Sequence, residues 1–271
     1  VTDVIGAVSA LRRYPVKSML GEDVGSVEVD ERGVDGDRRL ALLDVETGRV
    51  ATAKHPRLWR SLLSYAASGG PGAVRITLPD GRTVAAGDDG IDDLLSGLLG
   101  RAVRLAAERP PGAQVERPAP EDVLEHGVDA EVDFEILEIS QGAPGATFVD
   151  YAPLHLITTA TLDRIGVEAI RYRPNVVVAT HAGCPAFAEN EWVGRELRIG
   201  EVRARGSLPT PRCSVPTLEH GGLPREPQAL RPLLGGNRVE VPGFGVLPCA
   251  GVYLEVIDGG TIREGDEVVL R

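Results

Sequence analysis

Glycine and proline constrain this chain more than any other feature. Its 271 residues hold 33 glycines and 20 prolines, set between short runs in which apolar and β-branched residues alternate with polar ones. "GSVEVDERG" (25–33), "RRLALLDVETGRVATA" (38–53) and "GAVRITLPDGRTVAA" (72–86) are such runs. Alternation over four to eight residues is the signature of a half-buried strand, and glycine-rich turns close the runs too early for long helices. Hairpins are expected at Glu46-Thr47-Gly48 and Pro79-Asp80-Gly81. Helical spacing is confined to "DDGIDDLLSGLLG" (88–100), where Gly100 is a stop, and to "TATLDRIGVEAI" (159–170) and "REPQALRPLL" (225–234). No repeat of fixed period is visible. The expected fold is mainly β with α+β elements, built from barrels and not from a doubly wound sheet.

Residues 107–130, "AERPPGAQVERPAPEDVLEHGVDA", are rich in proline and charge and show no apolar period. They read as a linker or excursion between an N-terminal β-barrel-like domain (1–106) and a second β domain (131–271). In the latter, "VDFEILEI" and "RPNVVVAT" read as strands, and "AGVYLEVIDGGTIREGDEVVLR" as a strand, a turn and a closing strand.

Forty acidic against twenty-nine basic residues give a formal charge of -11, which repels a phosphate backbone and argues against a nucleic-acid partner. No apolar run approaches the roughly 18 to 20 residues of a membrane span, and the start lacks the basic, apolar, small order of a signal peptide, so a cytoplasmic location is expected. Cys184, Cys213 and Cys249 are odd in number and far apart, which gives no disulfide framework and no C-x-x-C pair.

Cys213 has the most distinctive setting. Pro209, Pro211 and Pro216 stiffen the backbone around it, and Arg212 puts a permanent charge beside it, a setting that favours thiolate and hence a soft-metal ligand. The alternative is a buried cysteine acting as a small apolar side chain. Zinc is disfavoured because Cys213 and His220 lack the paired spacing of a zinc site, and neither a nucleophile motif nor a phosphate-binding glycine fingerprint occurs. Lys17 and Ser18, after an expected first strand, suit an anionic group, or are ordinary surface. Arg173 in "RYRPN" is expected to be held extended by Pro174, with Asn175 opening a strand; the alternative is a loop ion pair.

"YPVKS" (14–18), "GVDGDRRLALLD" (33–44), "RYRPNVVV" (171–178), "AFAENEWVGRELRIGEV" (186–202), "PRC" (211–213) and "GGTIREGDEVVL" (259–270) occur in an order that closely resembles the MOSC family. The match is to the subgroup in which an N-terminal β-barrel domain precedes the MOSC domain, typified by amidoxime-reducing components. The resemblance implies an N-terminal β-barrel-like domain packed with a C-terminal MOSC β-barrel domain, and binding of the molybdenum cofactor, a pterin ending in a phosphate. Cys213 would be the thiolate on the metal, with Lys17, Ser18, Arg38, Arg173, Asn175, Arg212 and Tyr253 as cofactor contacts. The implied activity is a molybdenum oxidoreductase moving an oxygen atom and two electrons, reducing N-hydroxylated or N-oxide small molecules. Three scattered cysteines cannot ligate an iron–sulfur cluster of the four-cysteine kind, so an external ferredoxin, flavoprotein or cytochrome is expected as electron donor. Rival implications are a sulfur carrier or transferase acting through a Cys213 persulfide, and a non-catalytic cofactor carrier. The sequence departs from the family after the cysteine, where "SVPTLEHGG" replaces T-T-V-D-P-x-T-G. His220 there is the nearest candidate general acid, although a histidine beside two glycines reads first as an exposed loop residue. Cys184 falls in a lengthened loop and is taken as a non-ligand.

Overall fold

The computed structural model describes residues 3–271. Its centre is a closed barrel of seven strands. Around the barrel these are Leu154–Thr158, Val176–Thr180, Asp3–Arg13, Glu267–Leu270, Glu196–Ile199, Val202–Pro211 and Gly245–Asp258, the last pairing back onto the first. Only the contact between Leu154–Thr158 and Val176–Thr180 is parallel; the other pairs are antiparallel. The short helix 159–165 and the turn after it cross over between the two parallel strands, as a parallel pair requires.

A barrel this small must be filled by its own side chains. Six of the staves send alternate residues inward, so that Leu154 and Leu156, Val176 and Val178, Leu197 and Ile199, Val202 and Ala204, Val252 and Leu254, Val268 and Leu270 meet in one aliphatic core, to which the bulged strand Asp3–Arg13 adds Ile5, Val8 and Leu11. Each buried leucine or valine contributes about 1.5–3 kcal/mol relative to exposure. A second core, around Leu42, Trp59, Leu62, Ile76 and Leu95, belongs to the N-terminal part. There the 75–77 and 83–85 strands form the expected hairpin over Pro79-Asp80-Gly81, and helix Ile91–Leu99 ends at Gly100 as expected. Asp44 accepts from the backbone N–H of Glu46 and from the Thr47 hydroxyl, which shapes the expected turn at 46–48.

Four local expectations change. Residues 107–130 carry the strand Gln114–Pro118, paired with Phe134–Glu138, and the helix Pro120–His126; the pairing supplies order that the local pattern did not announce. The helix expected over 159–170 stops at Ile165, because Gly166 turns left-handed (φ 81°). That expected over 225–234 breaks into a 3-10 turn and a helix starting at Arg231, with Pro232 in its first turn, where a missing N–H is tolerated. The C-terminal strand–turn–strand holds an extra strand, Gly260–Arg263, which crosses to pair with Ser26–Asp30. The expected boundary between the two β domains is therefore crossed twice: by this strand, and by Asp3–Arg13, a stave of the C-terminal barrel.

Candidate functional site

Alternation along the staves also produces the site. Between Leu154 and Leu156 stands His155; between Val252 and Leu254 stands Tyr253, directly opposite it in register. Both point away from the barrel core into a cleft against the N-terminal part. All eight residues anticipated from the sequence line it: Lys17, Ser18, Arg38, Arg173, Asn175, Arg212, Cys213 and Tyr253. Five arginines and two lysines face the cleft against two carboxylates, Asp150 and Glu138. The chain as a whole is acidic, so this is a local concentration of positive charge.

Backbone strain gathers at the same place. Among the described residues, five other than glycine have positive φ, and three of them are Ser18 (65°), Arg38 (44°) and Arg173 (55°). Left-handed conformations are unfavourable for residues with a Cβ and persist only where surrounding contacts impose them. The contacts are visible. The Ser18 hydroxyl accepts from the Ala53 N–H at 3.1 Å. The Arg38 N–H donates to the Tyr14 carbonyl, and its guanidinium donates to Asp37 (2.5 Å), to the Asn175 side-chain oxygen (3.3 Å) and to the Arg173 carbonyl (3.1 Å). Arg173 is not extended as expected. It closes the 169–172 turn in the left-handed region, its N–H donating to the Ile170 carbonyl, and this cap outweighs the preference that Pro174 imposes.

Arg38 and Arg173 both lie over the ring of Tyr14, at 4.7 and 4.4 Å from its centroid. Arg38 is neutralised by Asp37. Arg173 is not: its Nη1 and Nη2 are buried without a hydrogen-bond partner among the described residues. Burial, with Arg38 close by, draws its pKa down to about 10, so it is still charged at neutral pH. A buried, unpaired guanidinium is costly and marks where an anion fits. Beside it, Lys17 donates to the Phe148 carbonyl (2.8 Å) and to Asp150 (2.6 Å), and Lys54 reaches the same carboxylate oxygen at 3.0 Å. Burial pulls Lys17 down to about 8. Burial alone would raise Asp150, but the two lysines outweigh it and hold the carboxyl well below its usual range.

Arg212 is spent on structure. Its guanidinium donates to the Ala250 and Tyr172 carbonyls and to Nε2 of His155, which fixes the neutral tautomer with the proton on Nδ1. Burial and the adjacent Arg212 charge keep His155 well below its ordinary value. Gly251 makes this packing possible: a Cβ there would sit 2.7 Å from His155 Nε2 and 2.4 Å from the Leu156 carbonyl. Cys213 follows at the strand end, half-buried at the cleft. Cys249 is buried and pushed up to about 12, and neither it nor Cys184 lines the cleft.

The loop after Cys213 is tied from below. Arg171, 2 % exposed, donates to Glu168 (2.7 Å) and to the carbonyls of Leu218 (3.1 Å) and Pro224 (3.0 Å). His220 is not the exposed loop residue expected: it is 2 % exposed, its Nδ1 donates to the Leu218 carbonyl, and burial draws its pKa down to about 4. It is also not among the residues lining the cleft. Sequence reasoning missed Asp150, Lys54, His155 and Tyr14. Only Tyr14, inside the "YPVKS" stretch, carried any signal. Among the described residues, no cluster of three or more His, Cys, Asp or Glu side chains could hold a metal unaided.

Residues 145–269 match the family model of the MOSC domain, and residues 5–93 match that of the MOSC N-terminal beta barrel domain. Mitochondrial amidoxime-reducing component 1 of Mus musculus is 30% identical over 134 residues, 45% of this chain and 38% of that protein. Mitochondrial amidoxime reducing component 2 of Bos taurus is 26% identical over 299 residues, 97% of this chain and 83% of that protein. Among solved structures, the YUAD protein from Bacillus subtilis aligns at a TM-score of 0.45 with 10% identity, covering 100% of this chain and 97% of that one. The match to the mouse protein thus spans well under half of that relative's length. With two domain models matched in order, and a distant relationship to the amidoxime-reducing components, the chain belongs to the MOSC family, in the group whose MOSC domain follows an N-terminal β-barrel domain.

Proposed function

We propose that the cleft holds a pterin-type molybdenum cofactor and that the protein reduces N-hydroxylated small molecules with electrons from a separate carrier. The observation that carries the reading is the buried guanidinium of Arg173, unpartnered at both terminal nitrogens, in the cleft that Cys213 also lines. These residues fit the group. Arg173 and Lys17 would meet its phosphate, Ser18, Asn175 and Tyr253 would bond its polar edges, and the Cys213 sulfur would reach the metal, for which a soft ligand is suited. Similarity to proteins named as amidoxime-reducing supports the choice of substrate.

When bound, the cofactor supplies two-electron oxygen-atom chemistry that no side chain possesses. The net change is R–NHOH + 2 e⁻ + 2 H⁺ → R–NH2 + H2O, and the electrons come from an external ferredoxin, flavoprotein or cytochrome. The chain's own part is placement. The left-handed residues 18, 38 and 173 aim their side chains without further reorganisation, and the Arg212–His155 contact locks the strand end that presents Cys213. Burial favours the neutral form of both His155 and His220, and His220 does not line the cleft.

The test is metal and pterin analysis of wild type and Cys213→Ala from a host that makes the cofactor, followed by assay with an amidoxime and a low-potential donor. Near one molybdenum and one pterin per chain, turnover in the wild type, and metal loss in the variant are expected. Fully loaded protein inert to every N-hydroxylated compound would overturn the activity. Metal-free protein carrying a persulfide on Cys213 would replace it with sulfur transfer.

A further inference from the structure

Another part of the cleft lining has a different chemistry. The chain holds only four phenylalanines, five tyrosines and two tryptophans, yet three of these rings form one wall there. Tyr151 meets Phe244 edge-on and Tyr253 at a tilt, each pair 5.9 Å between centroids. All three are partly exposed, so their faces are available to a ligand. The hairpin of Gln114–Pro118 and Phe134–Glu138 brings Arg117 to the same space. Arg117 is half-buried and makes no ion pair or side-chain hydrogen bond with any described residue. Its cross-strand neighbour Glu135 and the cleft-lining Glu138 are both exposed, and neither forms an ion pair with it among the described residues. Arg117 also lies within electrostatic reach of Cys249, which packs directly under this aromatic wall.

We infer that this part of the lining is the substrate wall, and that the substrate is a planar aromatic N-hydroxylated compound carrying a carboxylate on the side of the ring away from the N–OH group. The inference rests on the function proposed above. A ring laid on Tyr151, Phe244 and Tyr253 gains burial and aromatic contact. A free guanidinium in a partly dry cleft is the side chain best shaped to take a carboxylate through two parallel hydrogen bonds. With the carboxylate at Arg117, a rigid ring points its opposite end back along the cleft towards Cys213. Arg117 is thus a specificity residue and takes no part in the reaction.

The experiment compares benzamidoxime with 4-carboxybenzamidoxime on holoenzyme, in wild type, Arg117→Gln and Phe244→Leu. Wild type is expected to have the lower KM for the carboxylated compound. Arg117→Gln is expected to raise that KM about tenfold and to affect the KM for benzamidoxime much less, while Phe244→Leu raises both. Calorimetric binding of the unreactive products, benzamidine and 4-carboxybenzamidine, runs in parallel and needs no turnover. Selective loss of 4-carboxybenzamidine binding in Arg117→Gln, with neither amidoxime reduced, would leave the recognition site standing and remove the proposed reaction. Brisk turnover of both amidoximes with no preference, or equal effects of Arg117→Gln on both, would overturn the inference and leave the reaction standing.

Discussion

The barrel interior and the cleft on its outer wall are made by the same strands and could hardly differ more. Inside, Leu154, Leu156, Val252 and Leu254 pack in an aliphatic core at essentially zero exposure. One residue along, His155 and Tyr253 face a cavity crowded with cations, rings and left-handed backbone. The first region lowers the free energy of the fold; the second raises it, with the unpaired Arg173 and the desolvated Lys17. Proteins tolerate such local cost where a rigid neighbour absorbs it, and here the neighbour is the other face of the same sheet. A one-residue slip in register would exchange the two sets and ruin both.

Substitutions can separate the two faces. The largest effect on stability is expected inside: Leu254→Ala should cost about 2–5 kcal/mol, seen as a lower denaturation midpoint with an unchanged denaturant slope. Next comes acid lability from His220. Its folded pKa of about 4 lies below the unfolded value near 6.5. The unfolded chain therefore takes up the proton first, and stability present above pH 6.5 is lost as pH falls towards 4. The loss from this one group is roughly 3 kcal/mol, and His220→Gln should flatten the stability profile between pH 6.5 and 4. Outside the barrel the sign differs. Arg173→Gln removes a buried charge without a partner, so its stability should equal or exceed wild type by about 1 kcal/mol. Pyrophosphate should raise the Tm of cofactor-free wild type and not that of the variant. The smallest contrast lies at Ser18: Ser18→Ala loses the bond from Ala53 and keeps the left-handed strain, whereas Ser18→Gly loses the bond and relieves the strain. The glycine variant should be the more stable by about 1 kcal/mol.

What the sequence disclosed follows from how local each cause is. The hairpin over Pro79-Asp80-Gly81 and the helix stopped by Gly100 depend on neighbours in the chain and were readable there. The Gln114–Pro118 strand depends on Phe134–Glu138, and the stretch 107–130, legible only as a linker or excursion, does not announce it. The site residues were readable only through the ordered motifs of a family: nothing local to Arg38 shows that it meets Asn175, and nothing local to Arg173 shows a left-handed backbone before a proline. His155 and Asp150 carried no signal, because each acquires its role from distant partners, Arg212 in one case and two lysines in the other. His220 misled for the same reason: its double glycine suggests solvent, and only the packing of the 215–226 loop against Arg171 hides it.

The strand Asp3–Arg13 has a consequence for how the molecule comes into being. It is synthesised well before its partners in the barrel, Val176–Thr180 and Glu267–Leu270. Such distant pairing is slow, and its hydrogen-bonding edges stay open in the meantime. Lys17 and Ser18 follow directly on that strand, whose end is tied to Asn175 through the Arg12 N–H. The cleft is therefore assembled by the same event that closes the barrel, and a partly synthesised chain offers incoming ligands no finished seat.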